Sequence, residues 1–121
     1  MIFKESAVLI ATMATLTGCV TTHEKYNWGD YDPSLYSYYK SPAKVGELSA
    51  TLAATISAAD SHKEPVAPGL RGEYGYLLLQ QGKTAEAIAA FQGEEKQWPE
   101  SKVFMDHMIK VASSVSQTKG Q

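Results

Sequence analysis

The chain has 121 residues, a formal net charge of −2, 44% hydrophobic and 20% charged residues, and a single cysteine. That length suits one small domain, and a mildly acidic chain gives neither nucleic acid nor an anionic membrane surface an electrostatic reason to bind. One cysteine excludes an internal disulfide, so the domain must hold together by packing alone.

The first segment reads as an export signal. Lys4 supplies a positive start, Ala7 to Leu16 an apolar run, and Leu16-Thr17-Gly18-Cys19 a stretch of small residues closed by the thiol. This is the pattern of a bacterial lipoprotein signal, in which a peptidase needs a narrow chain beside a cysteine already carrying diacylglycerol. Glu5 beside Lys4 weakens the positive start, and the alternative is a buried helix ending at a free thiol. The apolar run is about ten residues long, against the roughly 20 needed to span a bilayer, so no transmembrane helix is expected. Residues 1–18 are therefore expected to be removed, leaving Cys19 as the acylated first residue. Acyl chains contribute about 0.8 kcal/mol per buried methylene, which makes anchoring by three chains essentially permanent. Val20 rather than Asp follows the cysteine. By similarity to enterobacterial sorting signals, the expected address is the outer membrane, lipid-anchored and facing the periplasm.

Residues 19–27 are mostly small and polar and read as a lipidated tether. From Val20 to about Tyr26, at ~3.3 Å per residue, it reaches at most on the order of 25 Å, keeping the domain near its membrane. Residues 28–116 read as an α-helical domain and 117–121 as a frayed tail. Five of the seven tyrosines, Tyr26, Tyr31, Tyr36, Tyr38 and Tyr39, crowd with Trp28 into the start of this region. Asp32-Pro33 predicts the start of a short helix to Lys40, with Asp as the cap and Pro at the first helical position. Leu35 and Tyr39, four apart, are expected to face inward together and Tyr38 to face away. Ser41-Pro42 repeats the start signal, and Val45, Leu48, Leu52, Ile56 and Ala59 then recur at helical spacing, predicting a long helix over about 43–60. Pro65, Pro68 and Gly69 mark a connection. A second long helix is predicted from Leu70 to Gln81, with Leu70, Tyr74, Leu77 and Leu78 on one face. Gly82 stops it, and Thr84 caps a third helix carrying Ala87, Ile88, Phe91 and Glu95 towards Trp98-Pro99. Ser101 opens a fourth, with Phe104, Met108, Val111, Ala112 and Val115 expected on its inner side. No segment alternates like a strand, so the predicted class is all-α, with about four helices in antiparallel hairpins.

Within the middle hairpin, Gly75, Gly82, Ala87, Phe91 and Pro99 have the mutual spacing of a tetratricopeptide repeat, which the hairpin resembles. Arg71, Thr84 and Glu94 depart from that pattern. A single repeat cannot bury its face alone, so the outer helices are expected to act as partial repeats or caps. Taken together, the lipobox, Trp28-Gly29-Asp30-Tyr31, Leu35-Tyr36, Tyr39-Lys40, Pro68-Gly69-Leu70, Gly75-Tyr76, Glu95-Lys96, Pro99-Glu100-Ser101 and Phe104-Met105-Asp106 resemble a family of small Gram-negative lipoproteins, the domain of unknown function 4810 type. Members of that family are typically encoded beside two other lipoproteins, one of them similar to the curli secretion channel. The resemblance implies a shared outer-membrane assembly and assigns no activity.

Chemistry-bearing motifs are sparse. Gly82-Lys83-Thr84 resembles the end of a phosphate loop, but the earlier glycine that such a loop requires would fall at Leu77, inside a helix, with no strand before it. His23, His62 and His107 lie far apart with no zinc-ligand spacing. The serines show no nucleophile elbow, and Glu94, Glu95 and Glu100 read as solvated acids near a helix end. No enzyme, no cofactor, no metal and no small-molecule substrate is expected. The aromatic cluster has two readings. Trp28, Leu35, Tyr36 and Tyr39 can clamp the N-terminal segment over the helices, or Trp28, Tyr31, Tyr36 and Tyr38 can form a partner-binding surface, since Tyr and Trp are common binding hot spots. The expected function is that of a non-enzymatic protein-interaction or assembly factor working with a curli-secretion-channel-like lipoprotein complex. The alternatives are a regulator or activator of peptidoglycan synthesis and, without any supporting constellation, an envelope hydrolase.

Overall fold

The computed structural model describes residues 24–119. Their order is α1 (Tyr31–Lys40), a 3₁₀ turn (Pro42–Lys44), α2 (Val45–His62), α3 (Leu70–Gln80), α4 (Thr84–Gln97), a second 3₁₀ turn (Pro99–Ser101) and α5 (Lys102–Lys119). The fold is all-α, and no strand occurs among the described residues.

Chain entry differs from the sequence expectation. The backbone turns at Trp28, whose carbonyl accepts from Tyr31 N–H at 3.1 Å, and Asp30 O accepts from Ser34 N–H at 3.2 Å. This starts α1 two residues before Pro33, with Asp30 and not Asp32 at the cap position. The earlier start fixes which stripe faces inward. Tyr31, Leu35 and Tyr38, at i, i+4 and i+7, pack against the core, while Tyr39 is 80% exposed. The expected roles of Tyr38 and Tyr39 are therefore exchanged. In α4, likewise, Lys83 occupies the cap position and Thr84 is already helical.

The helices pack mainly on their sequence neighbours, α1 on α2, α2 on α3, α3 on α4 and α4 on α5. Two buried clusters result. Leu48, Leu52, Ile56 and Ala59 of α2 meet Val66 and Ala67 of the connection and Leu70 and Leu77 of α3. Leu78, Ala87, Phe91, Met105 and Ala112 form the second cluster across α3, α4 and α5. Consecutive residues Leu77 and Leu78, about 100° apart around α3, thus serve different clusters. Such a helix, apolar on more than one face, is what a central element requires.

The α3–α4 hairpin closes tightly. A Cβ at Gly75 would lie 2.6 Å from Phe91 Cε1 and 3.1 Å from the Ala87 carbonyl oxygen, so only glycine lets the Phe91 ring seat there. The α4–α5 pairing corrects a second expectation. Met105 and Ala112 are buried, and Met108 and Ile109 pack beside them, whereas Phe104 is 62% and Val111 36% exposed. Met108 and Ala112 thus face inward as expected, while Met105 and Ile109 take the places expected of Phe104 and Val111. The helix runs on to Lys119, and Gly120 and Gln121 of the expected tail lie outside the described residues.

Candidate functional site

Because α3 and α5 both pack on α4, a furrow is left between them. From α3, Gly69, Gly72, Glu73 and Tyr76 line it, a stripe at i, i+3, i+4 and i+7. Phe91 and Glu94 of α4 form its floor, and Ser101, Phe104, Met105 and Met108 its other wall. The cavity holds about 440 Å³, within the range of ligand-binding clefts. Two exposed rings stand at it, Tyr76 and Phe104. Gly72 contributes width, since a Cβ there would come within 3.2 Å of Met105 Cε and 3.8 Å of Glu94 Cγ.

Glu94 is the chemical centre of this groove. It is fully buried, the opposite of the solvated acid expected from sequence. One carboxylate oxygen, Oε1, accepts the Gly69 backbone N–H. Gly69 caps α3 with a positive φ of 88°, a conformation that glycine adopts without steric cost, and the carboxylate thereby sits at the positive end of the α3 dipole. The other oxygen, Oε2, is buried with no hydrogen-bond partner. An unpartnered buried acceptor is costly and rare enough to require a reason. A signal for its burial was present in the sequence, since Ala87, Phe91 and Glu94 stand at i, i+4 and i+7.

A second acid ties the groove to the N-terminal aromatics. Glu73 Oε2 accepts from the Tyr31 hydroxyl at 2.8 Å. Burial of the ring, the Glu73 hydrogen bond, and the charges of Glu73 and Asp32 together push the Tyr31 phenol up to about 12. Trp28 leans on the same ring, with centroids 5.5 Å apart. Further along the segment, Tyr26 meets Trp98 edge-on at 6.1 Å, and the Trp98 indole donates to Val66 O at 3.1 Å.

Of the aromatics considered for partner binding, Trp28, Tyr31 and Tyr38 pack against the first core cluster. Tyr36 is 63% exposed, with Lys40 Nζ 5.4 Å from its ring centroid. Cys19, Leu16, Thr17 and Gly18 lie outside the described residues. Gly82 and Lys83 form the turn into α4, whose first residue is Thr84. Among the described residues, no helix is long and apolar enough to cross a membrane, and no group of three or more His, Cys, Asp or Glu is arranged to hold a metal ion.

The profile of a family described as a domain of unknown function, DUF4810, matches residues 25–108. The chain belongs to the DUF4810 family. Every residue lining the groove, from Gly69 to Met108, falls inside the matched span, as do Trp28, Tyr31 and Tyr38. The groove of this DUF4810 protein thus lies wholly within the matched region. No curated protein and no solved structure matches the chain.

Proposed function

We propose that this DUF4810 protein is a non-enzymatic assembly factor, anchored through acylated Cys19 to the periplasmic side of the outer membrane, whose α3–α5 groove receives an apolar segment of another envelope protein. The family resemblance favours a channel-like lipoprotein as that partner. One observation carries the reading. Phe104 leaves most of its ring in water at a cavity of about 440 Å³. Burying such a ring would gain about 1.5–3 kcal/mol, and a partner segment supplies the missing surface. The groove's lining is mainly apolar, while the aromatic segment spends Trp28, Tyr31 and Tyr38 on the protein's own core.

The test is crosslinking and affinity capture of a C-terminally tagged protein from native outer membranes, comparing wild type, Cys19→Ala and Phe104→Asp. The reading expects a channel-like lipoprotein with wild type, loss of that partner with Phe104→Asp at unchanged protein level, and loss of membrane association with Cys19→Ala. Equal recovery by wild type and Phe104→Asp would remove the groove from the function. Recovery of a cell-wall synthase in place of the channel would transfer the protein to peptidoglycan regulation.

A further inference from the structure

Glu94 allows the partner segment's chemistry to be narrowed, on the reading that the groove is a docking site. Its Oε2 is an acceptor held in an apolar wall with nothing donating to it. The residues lining the groove include two acids, Glu73 and Glu94, and no lysine, arginine or histidine. The charge complement of such a cleft is a cation.

The form of the cation follows from the valence left open. Arginine recognises a carboxylate best through two parallel bonds to its two oxygens. Here Oε1 already accepts the Gly69 N–H, so Oε2 is the carboxylate oxygen with both lone pairs unused, and a fork would have to share Oε1 with the start of α3. A compact ammonium on a flexible apolar stem satisfies one acceptor without needing the other. Phe91, Phe104, Met105 and Met108 provide apolar surface for a stem of that length. Met105 stands beside the carboxylate stem, its Cε and Sδ within 3.4 Å and Glu94 Cγ within 3.8 Å of the point that a Gly72 Cβ would occupy. An unbranched thioether can swing aside where a branched side chain could not.

We propose that the groove receives a lysine of the partner segment, its stem laid across Phe91, Phe104 and Met105 and its ammonium bonded to Glu94 Oε2. The lysine is flanked by apolar residues that cover Tyr76 and Phe104. Glu94 is then both the cap of α3 and the specificity element of the groove.

The experiment uses the full-length chain in mild detergent and a set of labelled amphipathic peptides of about 15 residues, identical except for a central Lys, Arg, norleucine or Glu, with binding read by fluorescence anisotropy. The Lys peptide should bind about tenfold tighter than the norleucine peptide, as one charge-assisted hydrogen bond allows, with Arg between them and Glu weakest. Glu94→Gln retains an acceptor for Gly69 N–H and converts the open atom into a donor. It should erase the lysine preference, read as the ratio of the Lys and norleucine Kd values within that variant. Phe104→Ala should weaken every peptide by the same factor. Equal wild-type affinity for Lys and norleucine overturns the proposal without requiring any variant to fold. So does a lysine preference that survives Glu94→Gln, an absence of binding by all peptides, or binding of n-pentylammonium as tight as that of the Lys peptide, which would make the ligand a free amine. If Phe104→Asp loses the captured partner while Lys and norleucine bind equally, docking stands and the lysine assignment falls. If neither substitution at Phe104 changes anything, both fall.

Discussion

Two polar residues with long-range partners decide how the groove is held. Tyr31 donates to Glu73 across the α1–α3 junction, and removing its hydroxyl by Tyr31→Phe should cost about 0.5–1 kcal/mol at neutral pH, the lower half of the usual range because the pair is only part-buried. The pH dependence has a definite sign. A phenol raised in the folded state to about 12 from 10.0 contributes in full below pH 10 and loses its contribution as pH rises through the folded value. The advantage of wild type over Tyr31→Phe, read from urea midpoints at about pH 8 and about pH 11, should therefore shrink or reverse at the higher pH. At Glu94 the loss should be larger. Glu94→Ala strands the Gly69 N–H at the start of α3, and about 1–3 kcal/mol of stability should disappear in urea unfolding, whereas Glu94→Gln should lose less. The sequence shows both residues and neither partnership. Tyr31 meets an acid 42 positions away and Glu94 a backbone amide 25 away, and local spacing carries no information about either. Glu94's burial was legible on the α4 stripe, but an acid three residues from a helix end is ordinarily solvated, and that ordinary behaviour masked it.

Helix identity was legible where apolar spacing was unambiguous, as in α2, whose Leu48, Leu52, Ile56 and Ala59 are all buried as their period requires. In α5 two stripes satisfy helical spacing. One runs through Phe104, Met108, Val111, Ala112 and Val115, the other through Met105, Met108, Ile109 and Ala112, so the two share Met108 and Ala112. Choosing by bulk favours the first, whereas packing on α4 buries Met105 and Ala112 with Met108 and Ile109 beside them and leaves Phe104 and Val111 exposed. Close approach also governs glycine substitutions within the helices. Gly75→Ala would force its Cβ to 2.6 Å from the buried Phe91 ring, with the Ala87 carbonyl at 3.1 Å blocking retreat. Destabilisation of about 1–3 kcal/mol is expected from such overpacking, seen as a lowered melting temperature. Gly46 lies in the first turn of α2 with nothing within 4 Å of its would-be Cβ. Gly46→Ala should therefore raise stability by up to about 1 kcal/mol through helix propensity alone, and the opposite signs of the two changes separate space from backbone freedom in one calorimetric comparison.

Because each helix packs chiefly on its neighbours in sequence, the molecule is a short stack, and α3 is the element through which its two clusters communicate. Leu77 belongs to the first cluster and Leu78 to the second, so any effect of loosening α2 on α4 passes by way of α3. Leu52→Ala, at a fully buried position of α2, should cost about 2–5 kcal/mol. If the clusters are coupled through α3, hydrogen exchange measured by mass spectrometry should accelerate by a similar factor in α2, α3 and α4. Acceleration confined to α1 and α2 would mean that the stack unfolds in independent halves, as repeat arrays can. The end of α5 should behave differently in either case. Ala112 is its last buried residue among those described, so amides beyond Ser116 should exchange fast in wild type and remain unchanged by Leu52→Ala. An end that opens on its own terms leaves Phe104, one turn or more before Ala112, on the firm part of α5, where an exposed ring keeps the fixed position that docking requires.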